Sequence, residues 1–337
     1  MKRITSISFF ILLMAWLMPF NANAANTMGD VNGDNEVNIA DVNTVINIIL
    51  GGYGNNSAAD VNGDHEVNIA DVNTIINIIL GGTSPTPSDI ETFTVNGVTF
   101  RMVKVEGGTF TMGATAEQED EAEDYEKPAH LVTLSSYYIG ETEVTQELWL
   151  AVVGWNGSWF TPTKGGYTEN LQRPVEYLNF STCYTFIRKL NELTGKSFRL
   201  PTEAQWEYAA RGGNKSKGYK YSGSNNIDDV AWHWENIPCH TKGEDGYGTQ
   251  PVATRAPNEL GIYDMSGNVW EWVRDKPGQY SSEPQTDPTG NPAGQNHIVR
   301  GGAWNSNPSD CRVSRRQGYG YQNQDSRTGF RIVLDSI

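Results

Sequence analysis

Apolar residues at Val42, Val45, Ile46, Ile49 and Leu50 recur at three- and four-residue steps, which predicts a short amphipathic helix stopped at Gly51-Gly52. The same pattern returns thirty residues later: residues 59 to 82 repeat residues 29 to 52 with 21 identities in 24 positions. Beyond residue 90 the pattern changes. Phe93 to Phe100 alternates around Asn96-Gly97 and predicts a pair of strands joined by a tight turn. Helical spacing predicts a helix from about Glu143 to Val153 and another from Ser181 to Leu193, with Gly195 as its stop. Thr202 and Gln205 form a capping box for a third helix that ends before Gly212-Gly213. The rest is rich in Gly, Asn and Trp with little periodicity, and long irregular loops of this kind need internal pins, either metals or buried aromatics. Most of the tryptophans are expected in the core.

Length and charge sharpen this division. A chain of 337 residues has room for one large domain and a smaller one. The net charge is -15, and no Lys/Arg cluster is present, which argues against a nucleic-acid partner. Residues 25 to 82 hold eight carboxylates and no Lys or Arg. Charge so dense needs a cation. Asp30, Asn32, Asp34, Glu36, Asn38 and Asp41, repeated as Asp60, Asn62, Asp64, Glu66, Asn68 and Asp71, stand at positions 1, 3, 5, 7, 9 and 12 of a loop that wraps oxygen ligands around Ca2+. Oxygen donors without imidazole select a hard cation.

With Asp at the last position and one helix after each loop, this segment resembles a type I dockerin, a small all-α module of paired EF-hand-like loops. The resemblance implies two Ca2+ ions and a cohesin-bearing partner, contacted through Ile39-Ala40 and Ile69-Ala70. Asn35 and His65 stand where that family usually has Gly. Asn tolerates the left-handed backbone better than His, so the second loop is expected to bind the more weakly.

Residues 1–24 read as a signal peptide: Lys2 and Arg3, an apolar run from Ile7 to Phe20, and Ala22-Asn23-Ala24 as the cleavage site. The expected destination is therefore exported, whether secreted, cell-surface or periplasmic, with no membrane span. The dockerin-like module takes residues 25–82, a Pro/Ser/Thr linker 83–90, and the second domain 91–337. Three cysteines, Cys183, Cys239 and Cys311, allow one disulfide at most.

In the second domain, Val105-Glu-Gly-Gly-Thr-Phe-Thr-Met-Gly113, Glu141-Thr-Glu-Val-Thr145, Arg199-Leu-Pro-Thr-Glu-Ala-Gln-Trp-Glu-Tyr-Ala-Ala-Arg211, Pro257-Asn-Glu-Leu-Gly-Ile-Tyr-Asp-Met-Ser-Gly-Asn-Val-Trp-Glu-Trp272, Arg300-Gly-Gly-Ala-Trp304 and Gly329-Phe-Arg331 follow one another. This order resembles the formylglycine-generating, sulfatase-modifying family and implies an α+β, C-type-lectin-like fold rich in irregular loops. The resemblance implies one or two further Ca2+ sites, at Asp264, Gly267, Val269 and Glu271, and at Asn236, Ile237, Asp245 and Tyr247. It also implies a cleft lined by Trp270, Trp304, Asn305, Ser306, Cys311 and Arg316.

Active members of that family bind Cu(I) through two cysteines spaced Cys-x-x-x-x-Cys. Cu(I) is soft and takes two thiolates readily, whereas one leaves a weak, open site. Counting from Gly302, Ser306 replaces the first cysteine and Cys311 lands on the second, while Ala303 stands where the enzymes carry Ser. Copper is therefore not expected. The leading expectation is a docking module joined to a non-catalytic binding or accessory module whose ligand is a peptide or a glycan. The alternatives are an active formylglycine-generating oxidase that uses Cys311, and a purely structural assembly element. His233 and His240 flank Cys239 and offer a further, weaker metal cluster. Glu203 is expected in the first turn of its helix, Glu207 on a solvated face, and the acidic run from Glu117 to Glu126 in a solvated loop.

Overall fold

The computed structural model describes residues 28–51, 57–62, 67–80, 89–291, 294 and 296–335. The expected signal sequence, the expected linker up to residue 88 and the second-loop positions Asp64, His65 and Glu66 lie outside the described residues.

The amino-terminal repeats form two helices, α1 (Ile39–Ile49), which follows the first loop, and α2 (Ile69–Ile79). Asn38 caps α1, its side chain accepting from the Ala40 amide, and the Asp41 carboxylate closes the capping box. Val42, Val45, Val72 and Ile75 bury a small core between the helices, together with Val31, Ala59 and Val61.

The second domain opens with β1 (Ile90–Val95) and β2 (Val98–Val105), joined at Asn96 and Gly97, both at positive φ. It continues through β3 (Gly108–Met112), β4 (His130–Leu134), β5 (Tyr137–Gly140), α3 (Gln146–Val153), α4 (Phe180–Thr194), α5 (Glu203–Ala210) and the short α6 (Ile227–Val230). The last elements are β6 (Trp270–Trp272), β7 (Gln285–Thr286), β8 (Asn296–Arg300), β9 (Arg316–Gly320), β10 (Thr328–Gly329) and β11 (Val333–Asp335). Among the described residues three small sheets result, ordered β1-β2-β5-β11, β10-β6-β8-β9 and β3-β4-β7. The carboxy-terminal β11 pairs with β5, which ties the end of the domain to its beginning.

The caps of the three longer helices explain their limits. Thr145, Asn179 and Thr202 each accept from a first-turn amide, and α3 and α4 end on left-handed Gly154 and Gly195. The first of these helices starts later than its apolar pattern predicts. Glu143 precedes the cap and is buried. Trp149, Trp206 and Trp272 are fully buried, whereas Trp155 and Trp234 are 54% and 38% exposed.

The pins of the irregular part are buried arginine–carboxylate pairs, which the apolar pattern does not announce. Arg300 bonds Glu207 at 2.5 Å, Arg316 grips Glu203 with two contacts of 2.7 Å, and Arg312 grips Glu126 at 2.7 and 2.9 Å. Glu207 and Glu126 are thus wholly buried, contrary to the solvated positions expected for them. A helix face reads as solvated only if no cation from a distant segment covers it.

Candidate functional site

The site forms where β8 ends. Gly301 and Gly302 both take positive φ, and a Cβ on Gly302 would lie 2.6 Å from the Cys311 Sγ, so only glycine lets the turn lie on the short 3-10 turn Pro308–Cys311. Ala303 and Ser306 then close a tight turn: the Ser306 amide donates to the Ala303 carbonyl at 2.9 Å and the Ala303 amide to the Ser306 Oγ at 3.0 Å. Trp304 is pinned by its amide to the Asn268 carbonyl at 2.8 Å and by its indole N–H to the Ser326 carbonyl at 2.9 Å.

Around Trp304 stands an aromatic wall. Tyr247 and Phe160 meet its ring edge-on at 4.9 and 5.5 Å, Trp234 lies at 6.5 Å, and Tyr167 packs on Phe160 at 5.0 Å. Trp234 opens this wall to solvent, and its amide donates to the Ser306 carbonyl at 3.1 Å. Phe160, Tyr167 and Trp234 come from segments with no periodicity and were not legible as site residues. Behind the wall, Glu176 is buried, one carboxylate oxygen accepting from the Phe160 amide at 2.9 Å while the other has no partner. Burial pushes its carboxyl up to about 8.

The thiol that the copper chemistry would need is sealed off. Cys311 is fully buried among Tyr221, Ile227, Val230 and Ala231, with Asn307's carbonyl 3.7 Å from its sulfur. Burial first, and the neighbouring Asp310 charge second, raise its pKa, which disfavours the thiolate that binds metal. Cys183 is buried on α4 and Cys239 is half-buried; all three are free thiols. His233 bonds Asp228 at 3.0 Å and His240 the Trp234 carbonyl at 2.6 Å, so the flanking histidines are not joined with Cys239 in a metal group.

Arg316 is also apart from the aromatic wall. Its guanidinium spans Glu203, the Tyr125 and Gly278 carbonyls and the face of Tyr280 at 4.1 Å. It helps to line a different groove, of about 740 Å3, with Tyr125, Pro277 and Ile298. None of Trp270, Trp304, Asn305 or Ser306 lines that groove.

A model of the sulfatase-modifying factor enzyme 1-like domain matches residues 86–336, and one of the dockerin type I domain matches residues 28–80. The chain belongs to the sulfatase-modifying factor enzyme 1-like family. Among its relatives, it is 33% identical to a protein named chaperone protein LppX from Paenibacillus barcinonensis, over 69% of this chain and 88% of that one. It is 30% identical to the formylglycine-generating enzyme of Thermomonospora curvata, over 70% of this chain and 94% of that one. Its fold is similar to the solved structure of Treponema denticola variable protein 1, with a TM-score of 0.64 and 30% identity, covering 74% of this chain and all 100% of that one.

The family's calcium positions can be tested against this geometry. In the sulfatase-modifying-factor domain both Glu271 oxygens accept from Arg331 at 2.7 Å, and one also takes the Trp206 indole at 2.8 Å. Such a carboxylate is already neutralised and does not fit as a cation ligand. Asp264 fits better: it is buried in a left-handed turn, one oxygen has no partner, and burial raises its carboxyl to about 6. Gly267 donates to the Gly301 carbonyl, and Val269 donates toward buried Glu143 at 3.3 Å. At the other position the Asn236 amide is spent on Asp228 and Ala231, and Asp245 accepts from the Thr168 hydroxyl at 2.9 Å. Ile237 belongs to the core and Tyr247 to the aromatic wall.

In the dockerin module, Asp30 and Asp41 are buried and accept amides from within their own loop, with Asn35 in the left-handed conformation that its position requires. Asp34 accepts from the Glu36 amide, and Asn32 and Asn38 each cap a neighbouring amide. In the second loop Asp71 repeats the bonds of Asp41, to the Val61, Asn62 and Asn68 amides. Buried carboxylates in a loop without Lys or Arg fit a cation. Among the described residues, however, no three His, Cys, Asp or Glu side chains form a ligand group by themselves, so amide and backbone oxygens would have to complete the shell.

Proposed function

We propose that the protein is an exported two-module accessory protein. Its dockerin binds Ca2+ in both loops and docks onto a cohesin, and its sulfatase-modifying-factor domain binds a peptide or glycan against the Trp304 wall without performing the copper oxidation. The observation that carries this reading is Cys311, buried and without a second thiol, with Ser306 where the partner cysteine would stand. Cu(I) held by two thiolates supplies the oxygen chemistry of the family's enzymes, and one protonated, enclosed sulfur is a poor substitute. Phe160, Tyr167 and Trp304 are buried, so the ligand would meet the exposed Trp234 and the half-buried Tyr247 that they support.

The test is to incubate the full chain with Cu(I), oxygen and a peptide carrying Cys-x-Pro-x-Arg, and to look by mass spectrometry for conversion of the thiol to an aldehyde. The expected result is no conversion by a folded protein. Conversion that disappears in Cys311→Ser would overturn the reading in favour of an active oxidase.

A further inference from the structure

The two amino-terminal repeats differ at three of 24 positions, so a difference in exposure between equivalent residues must come from their surroundings. At the carboxy-terminal ends of the helices there is none: Ile49 and Ile79 are both 41% exposed, and Leu50 and Leu80 are 79% and 77% exposed. At the amino-terminal halves the repeats part. Ile39 is 64% exposed against 46% for Ile69, and Asn43 is exposed while Asn73 is half-buried. Thr44 turns its hydroxyl back to the Ala40 carbonyl at 2.8 Å, whereas Thr74 is buried and hydrogen-bonds the Tyr263 side chain.

The cover comes from the second domain. Arg101 on β2 reaches the Asn62 carbonyl at 2.8 Å from a side chain only 9% exposed, and its other arm lies 3.4 Å from Glu141. Backbone bonds hold these groups together: the Glu141 amide donates to the Arg101 carbonyl at 3.0 Å, and the Tyr263 amide to the Glu141 carbonyl at 2.9 Å. The surface is therefore built, with a cation facing a segment that carries eight carboxylates and no Lys or Arg. Asn62 is itself held, its amide donating to Asp71 at 3.1 Å.

We propose that Arg101, Glu141 and Tyr263 form an intramolecular seat for the second repeat, which leaves the first repeat as the face that takes the docking partner. The repeats, equivalent in sequence, are thereby unequal in access. The second half of this proposal rests on the cohesin-docking reading given above; the seat itself does not.

The seat is tested in the full chain with Cys239→Ser as background, since Cys183 and Cys311 are buried. Single Asn43→Cys and Asn73→Cys variants are labelled with a small maleimide in Ca2+. Labelling at 73 should be about tenfold slower than at 43, and Arg101→Ala with Tyr263→Phe should speed 73 alone to within about twofold of 43. Equal rates in the background protein would overturn the seat, as would a slow rate at 73 unchanged by the double variant while circular dichroism shows an intact fold. The docking half is tested with a recombinant type I cohesin: Ile39→Asp should weaken binding by more than about tenfold, while Ile69→Asp should leave it within about twofold. Equal losses would overturn one-sided docking. Absence of any cohesin binding by the unmodified chain would remove the docking reading, while the labelling ratio would still decide the seat.

Discussion

Glu176 shows how one buried side chain sets a measurable property of the molecule. One of its oxygens has no partner, and desolvation lifts its carboxyl to about 8 from an ordinary value of 4.5. The folded chain then holds a proton that the unfolded chain has lost, so stability falls as pH rises from the unfolded value through about 8, and is flat above it. Asp264, raised to about 6, and Asp275, raised to about 7, act in the same sense at lower pH. Glu176→Gln keeps an acceptor for the Phe160 amide and abolishes the charge. Its thermal midpoint should exceed that of the parent at pH 9 and match it near pH 5, in a pair of melts followed by tryptophan fluorescence. A variant equally affected at both pH values would show that the group is not a buried, titrating carboxyl.

Between elements, the turn after β8 and the arginine pairs carry the organisation that the helices do not. Gly302 touches Cys311 so closely that a methyl group has no room, and its φ of +77° disfavours any L side chain. Gly302→Ala should therefore cost about 2 kcal/mol or more in urea unfolding, and should loosen the Ala303–Ser306 turn on which Trp304 stands. A loss below about 0.5 kcal/mol would mean that the turn readily shifts. The strand pair around Asn96-Gly97 and the capped helices were legible because their signals are local. Glu207 was not: its spacing says solvated face, yet it is buried, one oxygen held by Arg211 a turn along the chain and the other by Arg300, 93 residues away. The same holds for Glu126 with Arg312. Long-range charge pairing leaves no periodic trace, and here it does the pinning expected of metals or aromatics.

At the scale of the whole molecule the two modules should respond differently to removal of calcium. The dockerin has a small core and buried loop carboxylates without a Lys or Arg of its own, so its helices are expected to depend on a bound cation. In the second domain Glu271 is satisfied by Arg331, and two extensive cores hold the sheets. A chelator should lower the far-ultraviolet helix signal while leaving the near-ultraviolet tryptophan signal unchanged. All nine tryptophans beyond the predicted leader lie in the second domain, so collapse of that signal would show that Asp264 and its neighbours need calcium after all. Among the described residues no helix is long and apolar enough to cross a membrane.

The sequence alone determined the two-module plan, the repeat with its oxygen-ligand spacing, the family of the second domain and the missing cysteine, because each is written in neighbouring residues or in motif order. Tertiary structure decided which acids are buried, that Arg316 belongs to an ion pair and a separate groove, that Phe160, Tyr167, Trp234 and Tyr247 gather about Trp304, and that Asn73 and Thr74 of one repeat are less accessible than Asn43 and Thr44 of its near-copy. The physical reason is common to all of these. Desolvation and charge pairing act through space between segments far apart in the chain, and a local pattern records neither the partner nor the cover.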